Sequence, residues 1–137
     1  MAAEAARHLV VVTDYTFPDL EVERAILEPL GCTITGTQCR TEAEVADAVR
    51  DADFVLTQFA PVTAVAIAAM SRARLITRYG IGVDNVDLAA ARDRGIHVYN
   101  VPDYCIDEVA DHTLALILAL TRQIARLDAG VKAGRWK

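Results

Sequence analysis

LITRYGIGVDNVDLAAARDRGIHVYN, residues 75–100, holds one complete strand–loop–helix–strand passage. Leu75 to Tyr79 reads as a strand, Val86 to Arg94 as a helix that Gly95 stops, and Ile96 to Tyr99 as the next strand. A helix between two such strands is a crossover, and crossovers make neighbouring strands parallel. The same alternation recurs upstream. His8 to Thr13 (HLVVVT) is a β-branched run of the kind buried on both faces of a parallel sheet. Asp19 to Leu30 reads as a helix, with Val22, Ile26 and Leu30 on one stripe and Gly31 at its end. Cys32 to Thr37 is a weaker strand. Thr41 and Glu44 form a capping box for a helix whose inner face is Val45, Ala48 and Val49. Phe54 to Leu56 is a third strand, and Val62 to Met70 a short helix. A long helix is expected from about Asp107 to about Ala129. The pattern predicts an α/β fold: a flavodoxin-like, doubly wound, five-stranded parallel sheet over residues 1–106, then a long C-terminal helix and tail over 107–137.

Between the fourth strand and its helix lies Gly80-Ile81-Gly82. A dinucleotide fingerprint needs a third glycine for close helix packing, and Asn85 stands there. Asp84 and Asp87 would also repel a pyrophosphate, and they read instead as helix cap and dipole partner. The loop is therefore not a phosphate cradle. Two glycines at the carboxyl end of a parallel strand can still take positive φ angles and leave N–H groups bare. The residues alone leave a small-anion site and a plain tight turn both open.

Composition excludes several classes. With 53% hydrophobic and 24% charged residues, the 137-residue chain has the make-up of a globular domain with one core. A net charge of −5 without a basic run argues against nucleic-acid or anionic-membrane binding. The longest apolar run, Leu114 to Leu120, falls far short of the about 20 residues of a membrane span. Met1 to Arg7 carries Glu4 and has no signal-peptide pattern, and Cys32, Cys39 and Cys105 lack metal-type spacing, so a cytoplasmic protein with reduced thiols and no metal is expected. Asp14 suggests a phosphorylatable receiver domain, but Gln58 and Asn100 occupy positions where that chemistry needs Asp and Lys.

The G-x-G-V-D-N-V-D loop, the segment Gly95-Ile96…Val98…Asn100-Val101-Pro102 and the helix start Val109-Ala110-Asp111-His112-Thr113 together resemble the D-isomer-specific 2-hydroxyacid dehydrogenases, and within them the C-terminal-binding-protein-like branch. The resemblance runs from about His8 to Trp136. It implies a flavodoxin-like substrate domain facing a separate NAD-binding Rossmann domain, with a small 2-oxo or 2-hydroxy acid as substrate. It implies that backbone groups at Gly80, Ile81 and Gly82 face the substrate carboxylate, and that Ile81 and Val109 approach the nicotinamide. It places Gln58 in the wall of the substrate pocket; Phe59 beside it reads either as an apolar side of that pocket or as a core-facing aromatic. Some relatives carry Arg where Gln58 stands, so an acidic substrate tail is disfavoured. Asp111 stands where many relatives have Glu.

The family's catalytic Arg, Glu and His belong to the Rossmann domain or the segment after it, and no catalytic residue is expected in this chain. His112 lies on the helix start and reads as a capping or packing residue. The 137 residues alone are expected to be inactive, as the substrate-side portion of an NAD-dependent oxidoreductase. The final helix is apolar at nearly every angle through Leu114, Leu116, Ile117, Leu118 and Leu120, which predicts that it is covered by a further domain, by a second copy of the chain in a homodimer, or by both. The alternatives are a non-catalytic, dimeric, corepressor-like binding module of the same fold, and a flavodoxin-like domain for an unrelated small molecule.

Overall fold

The structure, a computed structural model, describes residues 8–136. Met1–Arg7, read above as lacking a leader, and Lys137 lie outside the described residues. The chain divides into two compact units, one ending at Pro102 and one starting at Asp103.

The first unit alternates β1 (His8–Val12), α1 (Glu21–Leu27), β2 (Cys32–Gly36), α2 (Glu42–Ala48), β3 (Phe54–Thr57), α3 (Ala64–Ala69), β4 (Leu75–Arg78), α4 (Leu88–Asp93) and β5 (His97–Tyr99). The strands form one parallel sheet in the order β2-β1-β3-β4-β5. This is the doubly wound order expected, with its reversal between β1 and β3.

The period of two in β1 explains the layering. Val11 joins Val55 and Ile76 under α2, α3 and α4, packed with Val45, Val49, Ile67 and Ala91. Val10 and Val12 point the other way and join Ile34 and Leu20 beside α1. All three β1 valines are at most 2% exposed, each burial worth about 2 kcal/mol. Val45 and Val49 lie fully buried behind the Thr41–Glu44 capping box, as the spacing of α2 predicts.

Three expectations about the helices of this unit change. Asp19 to Leu30 splits into α1 and a 3-10 turn over Glu28–Leu30, which Gly31 closes at φ 85°. The Val22, Ile26 and Leu30 stripe faces outward; the sheet contact is made by buried Leu20 and half-buried Leu27. A single apolar stripe thus marked the helix correctly and its inner face wrongly. Asp87, not Asp84, caps α4: its Oδ1 accepts the Ala90 N–H at 2.9 Å.

The second unit contains α5 (Ile106–Thr121) and α6 (Ile124–Lys132), so the expected helix over Asp107–Ala129 is interrupted. The Gln123 N–H bonds the Leu120 carbonyl three residues back, and Gln123 takes the left-handed region at φ 51°. The Thr121 hydroxyl also donates to the Ile117 and Leu118 carbonyls, which tightens the last turn of α5. No residue of α5 or α6 is buried. No helix among the described residues is long and apolar enough to cross a membrane.

Candidate functional site

In a doubly wound sheet, the loops after the carboxyl ends of strands at the reversal form the natural ligand crevice. Those loops here follow β1, β3 and β4, and Asp14 joins the first two. Its Oδ1 accepts the Gln58 N–H at 2.9 Å, and its Oδ2 accepts the Phe59 N–H at 2.7 Å. The Thr13 and Thr57 hydroxyls donate to Oδ1 at 3.0 and 3.3 Å. Burial pushes the Asp14 pKa up, but N–H groups of Gln58, Phe59 and Ala60 and the Thr13 hydroxyl outweigh it, holding the carboxyl below its ordinary value. Asp14 is thus a structural carboxylate that shapes the turn after β3.

That turn sends consecutive side chains in different directions. Gln58 is buried, and its Oε1 accepts the Thr16 N–H at 2.8 Å. Its amide oxygen holds the loop after β1. Phe59 is 63% exposed, with the Arg78 guanidinium carbon 5.6 Å from its ring centroid.

Arg78, the last residue of β4, is the functional candidate that sequence reading missed. Its Nε donates to the Gln58 carbonyl at 3.1 Å, which folds the guanidinium back over the glycine loop. A Cβ on Gly80 would stand 1.8 Å from Arg78 Nη1, so glycine makes room for this cation. The Nη groups have no ion pair or hydrogen bond among the described residues. A cation closing a strand just before a bare glycine turn was the available signal.

The loop itself is held by its carbonyls. Gly80 O accepts the Val101 N–H at 3.0 Å, and Ile81 O accepts from Asn100 Nδ2 at 2.7 Å. Gly80 lies at φ 150°, whereas Gly82 does not take a positive φ, so only one of the two glycines uses that freedom. The N–H groups of Ile81 and Gly82 have no acceptor among the described residues. Tyr79, just before the loop, donates its hydroxyl to Glu23 at 3.0 Å and meets the Phe17 ring edge-on. Burial, reinforced by the Glu23 carboxylate, pushes its phenol well above the ordinary range.

Phe59, Arg78, Gly82, Asp84 and Asn85 line an open depression of about 190 Å³. Backbone donors, a guanidinium and an aromatic face suit a small carboxylate with a short organic body. They do not suit a dinucleotide's phosphates. Asn85, in the third fingerprint position, is turned inward to the Ala60 carbonyl and Asp87 occupies the Ala90 N–H, while Asp84, which lines the depression, opposes a singly charged carboxylate less than a doubly charged pyrophosphate.

The other candidates are Ile81, within this loop, and residues on other elements. Ile81 is 40% exposed, and Val109 is an exposed residue in the first turns of α5, in the second unit. His112 is exposed on α5, and His97 is exposed on β5. His8 stands 3.9 Å from Asp53, at the amino end of β1, away from the crevice. No group of three His, Cys, Asp or Glu able to hold a metal occurs among the described residues.

Residues 10–130 match the family described as "D-isomer specific 2-hydroxyacid dehydrogenase, catalytic domain". The chain is 45% identical over 91 residues to a D-3-phosphoglycerate dehydrogenase of Mycobacterium leprae, covering 66% of this chain and 17% of that protein. It is 37% identical over 128 residues to a D-3-phosphoglycerate dehydrogenase of Methanocaldococcus jannaschii, covering 93% and 24%. Among solved structures, a D-lactate dehydrogenase of Aquifex aeolicus, complexed with NAD and lactic acid, superposes with a TM-score of 0.79 at 26% identity, over 93% of this chain and 38% of that one. The chain spans about a fifth of the length of these curated relatives.

Proposed function

The chain belongs to the D-isomer specific 2-hydroxyacid dehydrogenase family, and on that premise we propose that it forms the substrate-side wall of an NAD-dependent oxidoreductase acting on a small 2-hydroxy acid and its 2-oxo partner. The observation that carries this reading is the pair of unengaged N–H groups at Ile81 and Gly82 beside the Arg78 guanidinium. N–H donors held by a rigid loop bind a carboxylate without reorganising, and a nearby guanidinium adds charge. Phe59 supplies an apolar side for the body of the acid. Gln58 serves from behind, fixing the loop after β1. NAD would supply and accept the hydride; the residues described here orient the acid and do not cradle the nucleotide's phosphates. Ile81 and Val109 are the proposed contacts for the nicotinamide end. A cytoplasmic setting is part of the same proposal.

Named relatives that are dehydrogenases support the oxidoreductase over the corepressor-like module. Titration of the 15N-labelled chain with lactate tests it: the Ile81 and Gly82 amide resonances should move together and saturate. Resonances that stay still at high millimolar lactate defeat the proposal. Purified chain mixed with NADH and 2-oxo acids is expected to show no turnover, because no His–carboxylate pair stands at the loop.

α5 is the proposed homodimer surface. Leu114, Leu116, Ile117, Leu118 and Leu120 are each at least 50% exposed, an apolar area that favours association. Ile117→Lys should lower the molar mass measured by light scattering from that of a dimer to that of a monomer. A wild-type chain that is already monomeric at micromolar concentration overturns this assignment.

A further inference from the structure

A second depression, of about 270 Å³, opens on the other loops of the crevice and is lined by Asp14, Gln38, Cys39, Arg40, Phe59, Ala60 and Pro61. Phe59 lines this depression and the one beside Gly82 alike, so the two adjoin at its ring. The floor is rigid. The Cys39 N–H donates to the Thr13 carbonyl at 2.8 Å, and Gln38 Nε2 donates to the Tyr15 carbonyl at 2.9 Å. The Thr37 hydroxyl bonds the Val12 and Thr13 carbonyls, each at 2.9 Å.

The charge balance there is unusual. Arg40 is exposed, and its guanidinium forms no ion pair or hydrogen bond among the described residues. The acidic side chains nearest in sequence are hydrogen-bonded elsewhere, although the Arg40 charge still helps to lower the Glu44 pKa. Glu44 Oε2 accepts the N–H groups of Arg40 and Thr41, at 2.7 and 2.9 Å, and Glu42 accepts the Thr63 hydroxyl. Asp14 is 8% exposed, with both oxygens already bonded by Gln58, Phe59, Thr13 and Thr57. A guanidinium with no hydrogen-bonded partner among the described residues, on a fixed loop beside a cavity that adjoins a carboxylate site, is arranged to bind an anion.

We infer that Arg40 reads a second anionic group, carboxylate or phosphate, on the far end of the 2-hydroxy acid whose first carboxylate sits at Ile81 and Gly82. The inference rests on the substrate-wall reading above and narrows its substrate class to dianionic hydroxy acids. It also answers the objection that Gln58 raises. The cation need not come from the end of β3, because the loop after β2 presents one to the neighbouring depression.

The test compares lactate, malate and 3-phosphoglycerate by amide-resonance titration of the wild-type chain, Arg40→Gln, Arg40→Lys and the surface control Arg50→Gln. A charge-assisted contact predicts about tenfold tighter binding of a dianion than of lactate. The chain's net charge of −5 gives no general attraction that could mimic this preference. Malate against 3-phosphoglycerate tells a carboxylate reader from a phosphate reader. Arg40→Gln should erase the preference, Arg40→Lys should keep part of it, and Arg50→Gln should keep all of it. Equal binding of lactate and both dianions at the Ile81 and Gly82 amides overturns the inference and leaves the substrate-wall reading standing. A preference that survives Arg40→Gln, or that Arg50→Gln removes equally, overturns the inference as well. No response of those amides to any of the three acids overturns both.

Discussion

The turns after β3 and β4 are neighbours at one edge of one sheet, and they treat their backbone groups in opposite ways. After β3, the Gln58 and Phe59 N–H groups both end on Asp14. After β4, the carbonyls of Gly80 and Ile81 are tied down by Val101 and Asn100, while the Ile81 and Gly82 N–H groups are left open. The first turn spends its donors on stability. The second is held by its acceptors, so its donors keep a fixed aim toward solvent. Preorganised donors of this kind give affinity for an anion at little entropic cost.

The contrast breaks most severely at Asp14. Asp14→Ala strands two backbone N–H groups beside a buried carboxylate site, and should cost about 3 kcal/mol of stability in urea unfolding. Asp14→Asn should recover part of the loss, since its amide oxygen can still accept one bond. If Asp14→Ala unfolds at the wild-type midpoint, Asp14 is not what fixes the turn after β3.

Gly80→Ala attacks the open turn. A side chain at φ 150° is strained, and its Cβ would collide with the Arg78 guanidinium. The stability cost should be about 1–2 kcal/mol, less than at Asp14. The loss of lactate response at the Ile81 and Gly82 amides should be nearly complete, because Arg78 is displaced and the loop re-aimed. Wild-type binding by a folded Gly80→Ala chain would show that neither matters.

The smallest effect is on pH dependence. Asp14 has a folded pKa below its ordinary value of 3.8. Its contribution is therefore fully present above that value and is lost only as pH falls through the lower folded pKa. Asp14→Asn should flatten this acid limb and leave the neutral-pH slope alone. A variant with the wild-type acid limb assigns the titration to other carboxylates.

Much of this was legible before any coordinates. Strand and helix alternation required crossovers, which required a parallel sheet, and Thr41 with Glu44 placed the start of α2. The special character of Gly80 to Gly82 also followed from residue type. Other readings failed for a common reason. The Val22, Ile26 and Leu30 stripe looked like an inner face, yet a helix with apolar residues on two sides does not say which side the sheet will take. Asp84 read as the cap of α4 and Asp87 as its dipole partner, yet the helix begins three residues later than Asp84 allows and Asp87 makes the cap. The break at Gln123 had no glycine or proline to announce it.

Sequence by itself determined the architecture and marked the glycine loop as unusual, because periodicity, caps and glycines act over a few residues. Only the tertiary structure decided the partners: Asp14 with the Gln58 and Phe59 N–H groups, and Arg78 with the Gln58 carbonyl. Those pairings join residues 20 to 45 positions apart. Which of many charged side chains finds a partner, and which stays free for a ligand, depends on how the sheet brings distant loops to one edge.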